Sequence, residues 1–108
     1  LLYFIDCLGR PPEAYEHDMK LWWPHDEILI ASLMIFRDTG DEKYLTWFER
    51  TLDYCKEHFS DPEYGDWFGY LRRDGRPACK GSTFKGPFHL PRMLIMCDTM
   101  IDQILAKQ

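Results

Sequence analysis

The chain has 108 residues, a formal net charge of −5, and 45% apolar and 16% aromatic side chains. That is enough for one small core and too short for two ordinary domains, and the acidic balance argues against general nucleic-acid binding. No apolar run approaches the ~20 residues that span a bilayer, and Cys7, Cys55, Cys79 and Cys97 are scattered with no C-x-x-C pair and no signal peptide, so a reducing cytoplasm is expected rather than a disulfide framework or a zinc site.

In chain order, "LLYFID" predicts a short strand, and "GRPPEAYEHD" predicts a loop because glycine and paired prolines break regular structure. From Pro24 to Asp38, "PHDEILIASLMIFRD" is apolar on most faces, which predicts a helix enclosed by protein, with Pro24 in its first turn and Gly40 at its stop. Asp41 is placed to cap a second helix reaching about Phe59. There Tyr44, Leu45, Phe48, Leu52, Cys55 and Phe59 form one stripe, and most charged residues lie elsewhere. A buried helix followed by an amphipathic one implies inner and outer layers. Asp74-Gly75 between short β-like runs predicts a hairpin in "DWFGYLRRDGRPACKG". The last helix is predicted from about His89 to Ala106, with Leu90, Met93, Leu94, Cys97, Met100, Ile101, Ile104 and Leu105 on its apolar side. The chain opens mid-pattern on "LLYFIDCLG" without an initiator methionine and ends in a helix-like run, so a portion of a larger domain is expected.

Three constellations carry candidate chemistry. His89 stands at the start of the last helix, where unpaired amides and the helix dipole favour a neutral imidazole able to accept a proton; the same position suits a capping or core histidine. Lys85 and Arg92 flank it, placed either to hold an anionic oxygen or simply to be solvated. "LWWPHDE" gathers two tryptophans, a histidine and two acids at a helix start. Tryptophan faces stack on sugar C–H faces as readily as they fill cores. Glu27 is the sharper candidate, because a carboxylate one turn into an otherwise apolar helix needs a partner. Trp67, Phe68 and Tyr70 on the hairpin are core or a stacking wall, and Arg72, Arg73, Arg76 and Lys80 read most simply as its solvated side. No histidine pair has the spacing of a catalytic metal site.

"DMKLWWPHDE", "DPEYGDWFGYLRRDG" and "FKGPFHLPR", in that order and spacing, resemble the C-terminal part of the N-acylglucosamine 2-epimerase family, also called the renin-binding protein family. The similarity runs from about Leu1 to Ile104. The resemblance implies an all-α fold in which residues 1–108 form the C-terminal portion of one (α/α)6 barrel, with a short β-hairpin before the last helix and the sugar bound at one mouth. It implies interconversion of N-acetyl-D-glucosamine and N-acetyl-D-mannosamine by ring opening, removal of the C2 proton and its return on the other face. Two acid–base groups on opposite faces of an enolate are needed for such an inversion. By motif match His89 is one of them and Glu27 the carboxylate on an inner helix, with Trp23 and Trp67 as sugar-stacking walls and Arg92 as a charge neighbour.

The same resemblance places the family's second histidine and an essential arginine upstream of these residues. It implies no cofactor for the chemistry and a nucleotide such as ATP as effector, although no Walker-type glycine loop marks a site. It also implies a homodimer. Two alternatives stay open: a related sugar epimerase or isomerase of the cellobiose 2-epimerase or aldose–ketose type, and a non-catalytic protein that binds and inhibits renin.

Overall fold

Apolar residues spread around most of a helix require neighbours on more than one side. In the computed structural model, which describes residues 3–107, this helix is α1, Trp22–Thr39, and it packs against both α2, Glu42–His58, and α3, His89–Leu105. Leu29, Ile30 and Leu33 of α1 meet Phe59, Cys55, Leu71, Met93, Cys97 and Met100 in the buried core. At ~1.5–3 kcal/mol for each large aliphatic or aromatic side chain removed from water, this core is the main favourable term holding the three helices together.

The ends of α1 follow local rules with one tertiary exception. Gly40 stops it in the left-handed conformation, φ +71°, and returns its N–H to the Phe36 carbonyl. Pro24 lies in the first turn, where a missing N–H costs little. The helix nonetheless begins two residues ahead of the expected Pro24, because the N–H of Trp22 donates to the Gly69 carbonyl at 3.0 Å. A neighbouring segment thus does the work of an N-cap side chain. For α2 the cap is local: the Asp41 carboxylate accepts from the Lys43 N–H at 3.0 Å, and Phe48 and Cys55 turn inward.

Three very short strands, β1 (Lys20–Leu21), β2 (Tyr70–Leu71) and β3 (Pro77–Cys79), form an antiparallel sheet in the order β1-β2-β3. The expected hairpin is β2–β3, with Gly75 at φ +89° in its turn. β1 was not expected: two residues are too few to display a period-two pattern, and its pairing of Lys20 with Leu71 and Leu21 with Tyr70 exists only once the hairpin has folded back. Among the described residues of "LLYFID", Tyr3 to Asp6, the expected strand is not formed. Leu1 and Leu2 lie outside the described residues, and the N–H groups of Tyr3 and Phe4 both donate to the His17 carbonyl at 3.0 Å, which bends this segment back onto the loop.

On α3, Met93, Cys97 and Met100 turn to the core while Leu94, Ile95, Ile101 and Leu105 remain exposed. Leu94, Ile101 and Leu105 share one stripe beside the buried one, so the helix carries a second apolar face. No helix among the described residues is long and apolar enough to cross a membrane. An uncovered stripe of this kind drives association. The isolated chain is expected to gain apparent mass with concentration in light scattering, and Leu94→Glu together with Ile101→Glu is expected to shift it toward monomer with unchanged helicity by circular dichroism.

Candidate active site

Glu27 lies on α1 and His89 opens α3, so the packing of these two helices decides whether they meet. They do. Glu27 Oε1 is 3.0 Å from His89 Nδ1, and Arg92 Nη1 donates to the same oxygen at 2.6 Å. His89 and Arg92 are one turn apart on α3 and share a face, which lets both reach a single carboxylate across the helix interface. The three side chains are 36%, 29% and 35% exposed for Glu27, His89 and Arg92. They form a cluster open to solvent on one side.

Burial acts to raise the Glu27 carboxyl, but the hydrogen bonds and charges of Arg92 and His89 outweigh it and hold the group below its usual range. Glu27 is therefore an anion at neutral pH and accepts only, so the neutral form of His89 presents Nδ1–H to it and carries its lone pair on Nε2. The ring is boxed by aromatics: Trp23 at 5.6 Å and 36°, Trp22 edge-on at 6.3 Å, and Phe88 edge-on at 5.0 Å between centroids. A base whose tautomer is set by a carboxylate and whose tilt is set by packed rings is equipped to take a proton at Nε2.

The other expected site residues fall in two groups. Trp23 and Arg92 join the Glu27–His89 cluster. Trp67 does not; its ring stacks on Phe59 at 5.7 Å, and its backbone bridges to Ser60. Lys85, considered as an anion holder, is committed to Asp66 at 2.6 Å. Lys80, read as part of a solvated basic cluster, bonds Asp61 and the Gly65 carbonyl. His25 is a core histidine: buried, with Nδ1–H donating to the Leu21 carbonyl at 2.6 Å, its ring stacked on Tyr54, and its pKa lowered by burial.

Asp26 was not singled out by the sequence. It is fully buried, both carboxylate oxygens lack a partner among the described residues, and burial, reinforced by the Glu27 charge, pushes its pKa up to about 7. The local signal was present but ambiguous: adjacent acids at a helix start are 100° apart, and nothing in "HDE" says which one turns into the core.

The sequence profile of the N-acylglucosamine 2-epimerase (GlcNAc 2-epimerase) family matches residues 1–90. N-acylglucosamine 2-epimerase of Bos taurus is 50% identical over 109 aligned residues, covering 99% of this chain and 26% of that protein, and the Homo sapiens protein is 48% identical over the same shares. Cellobiose 2-epimerase of Bacteroides fragilis is 34% identical over 77 residues, 68% of this chain and 20% of that one. Among solved structures, cellobiose 2-epimerase from Spirochaeta thermophila superposes with a TM-score of 0.74 at 25% identity, covering 83% of this chain and 23% of its own. The chain thus spans about a quarter of the length of the curated relatives it matches.

The position of Asp26 has a measurable consequence. Unfolding returns its carboxyl from about 7 to the ordinary 3.8, so the unfolded chain gives up a proton that the folded one retains. The resulting destabilisation is absent below about pH 4, grows as the pH rises to about 7 and is constant above that, on the order of 4 kcal/mol at ~1.36 kcal/mol per pKa unit. Asp26→Asn is expected to melt higher than the parent at pH 8, with the difference vanishing toward pH 4 in a series of thermal denaturation curves.

Proposed function

The chain belongs to the N-acylglucosamine 2-epimerase family, and from that membership we propose that it supplies one of the two acid–base groups of an enzyme interconverting N-acetyl-D-glucosamine and N-acetyl-D-mannosamine. The observation that carries this reading is the 3.0 Å contact between Glu27 Oε1 and His89 Nδ1, which leaves Nε2 as a free base. In this reading the three helices are part of an (α/α)6 barrel, α1 and α3 in its inner layer and α2 in its outer one. The part of the barrel that the chain does not span contributes the opposite-face group.

The chemistry runs on the ring-opened sugar. His89 Nε2 takes the C2 proton, and the C–H electron pair moves into the C1–C2 bond while charge collects on the C1 oxygen. A proton returned to C2 from the other face completes the inversion. Glu27 holds the imidazole in the required tautomer and provides the counter-charge for the imidazolium. Arg92 has further N–H donors beyond the one given to Glu27, and these serve the developing oxyanion or a sugar hydroxyl. Trp23, 5.6 Å from the His89 ring, is the stacking wall, and Trp67, turned onto Phe59, is left to the core. No cofactor enters these steps, and a nucleotide acts only as an effector.

In the full-length protein, His89→Asn is expected to retain the fold and to slow C2 hydrogen–deuterium exchange of N-acetylmannosamine, followed by proton NMR in deuterated buffer, by the ~10²–10⁴ typical of a lost acid–base group. Exchange at near the parental rate would remove His89 from the reaction. Glu27→Gln is expected to lower turnover in the same assay, because a glutamine can offer its amide N–H to Nδ1 and so favour the tautomer with the proton on the wrong nitrogen.

A further inference from the structure

His89 is delivered by the loop between β3 and α3, and Lys85 lies in that loop just ahead of it. The Lys85 side chain is only 9% exposed, and its ammonium bonds Asp66 Oδ2 at 2.6 Å. A nearly buried cation is kept in register only by a carboxylate brought to it. Asp66 has the backbone to bring one, since among the described residues it is the one non-glycine residue with positive φ, +63°. This left-handed backbone costs energy for any residue except glycine and is best tolerated by Asp and Asn. Its Oδ1 accepts from the Trp67 N–H at 2.6 Å, which fixes the carboxylate with Oδ2 toward Lys85.

Gly69 supplies the passage. A Cβ at Gly69 would lie 2.8 Å from Lys85 Cδ and 3.1 Å from the Lys80 carbonyl oxygen, so the lysine stem runs through a notch that no other residue leaves open. The backbone of Gly69 also joins the two helix starts: its N–H donates to the Lys80 carbonyl at 2.9 Å, and its carbonyl accepts from the Trp22 N–H at 3.0 Å. One side of this crossing therefore leads into α1 and Glu27. The other leads into the loop and His89. Lys80, bonded to Asp61 at 2.5 Å and to the Gly65 carbonyl at 2.7 Å, ties the start of that loop to the segment leading into Gly69 a second time.

We propose that the Asp66–Lys85 pair, threaded past Gly69, is a positioning clamp that sets His89 against Glu27. The proposal rests on the epimerase reading for its kinetic consequence and on the structure alone for its geometric one. Lys85 acts through the loop and does not touch the sugar. Its loss displaces the base without removing it, and a displacement of ~1 Å in a catalytic group costs up to ~10²-fold in rate.

The test uses the full-length protein with two variants, each studied below its own melting temperature. Lys85→Met keeps a stem for the notch and removes the charge. Asp66→Asn keeps the left-handed backbone and the acceptor for Trp67 and removes the ion pair. Each is expected to lower kcat by ~10–100-fold with KM within about twofold, and the double variant is expected to be no worse than either single one, because both break one interaction. With ¹⁵N-labelled histidine, the His89 ring shifts are expected to move from a single Nδ1–H tautomer in the parent to a mixture in both variants. A stability defect alone would leave kcat and the ring shifts of the folded protein unchanged, and that result would overturn the clamp. A rise in KM confined to Lys85→Met would overturn it as well, by showing direct contact with the sugar. If the parent exchanges no C2 hydrogen, the epimerase reading fails, while the ring shifts still decide whether the clamp sets His89.

Discussion

A carboxylate carried near the start of a helix that is otherwise packed on apolar neighbours must find a counter-charge or lose its own. Glu27 finds its counter-charge in Arg92 at 2.6 Å and a second donor in His89 at 3.0 Å, both from the first turn of α3. That three-residue contact joins the two helices at one end and the Arg37 Nη1 to Gln103 Oε1 bond, 3.1 Å, joins them at the other, while between these they meet through core side chains such as Leu29, Leu33, Met93 and Cys97. The crossing of α1 and α3 and the geometry of the cluster are therefore one problem. Shifting either helix by a turn would strand a carboxylate and separate the imidazole from the acceptor that fixes its tautomer.

The small sheet serves that crossing. Its strands have two or three residues each, far too little to be stable alone. Its value lies in where it holds the chain. β1 runs directly into α1, Gly69 just before β2 accepts the first N–H of that helix, and the segment after β3 returns past Gly69 to begin α3. Both helix starts are thus set from one place, which is why a left-handed aspartate, a glycine notch and a nearly buried lysine are concentrated there.

Glu27 and its neighbour Asp26 show what a partner is worth. Glu27 keeps its charge because donors reach it, and it stays partly exposed beside the base. Asp26, one residue earlier, is rotated into the core, where burial, reinforced by the Glu27 charge, brings its carboxyl to about 7. Cys55 and Cys97, whose thiols are likewise pushed up, to about 12 and about 11, by burial and by the Asp26 charge, share that interior. One acid organises a site and the other weakens the fold as it ionises.

What the sequence by itself determined is whatever depends on neighbours along the chain. The three helices follow from apolar periodicity together with Gly40, Asp41 and Pro24, the hairpin from Asp74-Gly75, and the need of Glu27 for a partner from its apolar surroundings. Motif resemblance pointed to the family, which the relatives then established. The remainder was decided by residues far apart in the chain. Arg92 and His89 reach Glu27 across more than sixty residues; Lys85 pairs with Asp66 instead of standing free; β1 exists only because β2 lies beside it; Trp67 stacks on Phe59, away from the ring of His89. Local patterns report which face of an element is apolar, but not which face of which neighbour it will meet. A hydrogen bond or ion pair needs ångström-scale placement of two side chains, and only the packing of α1 on α3, set at the Gly69 crossing, provides it.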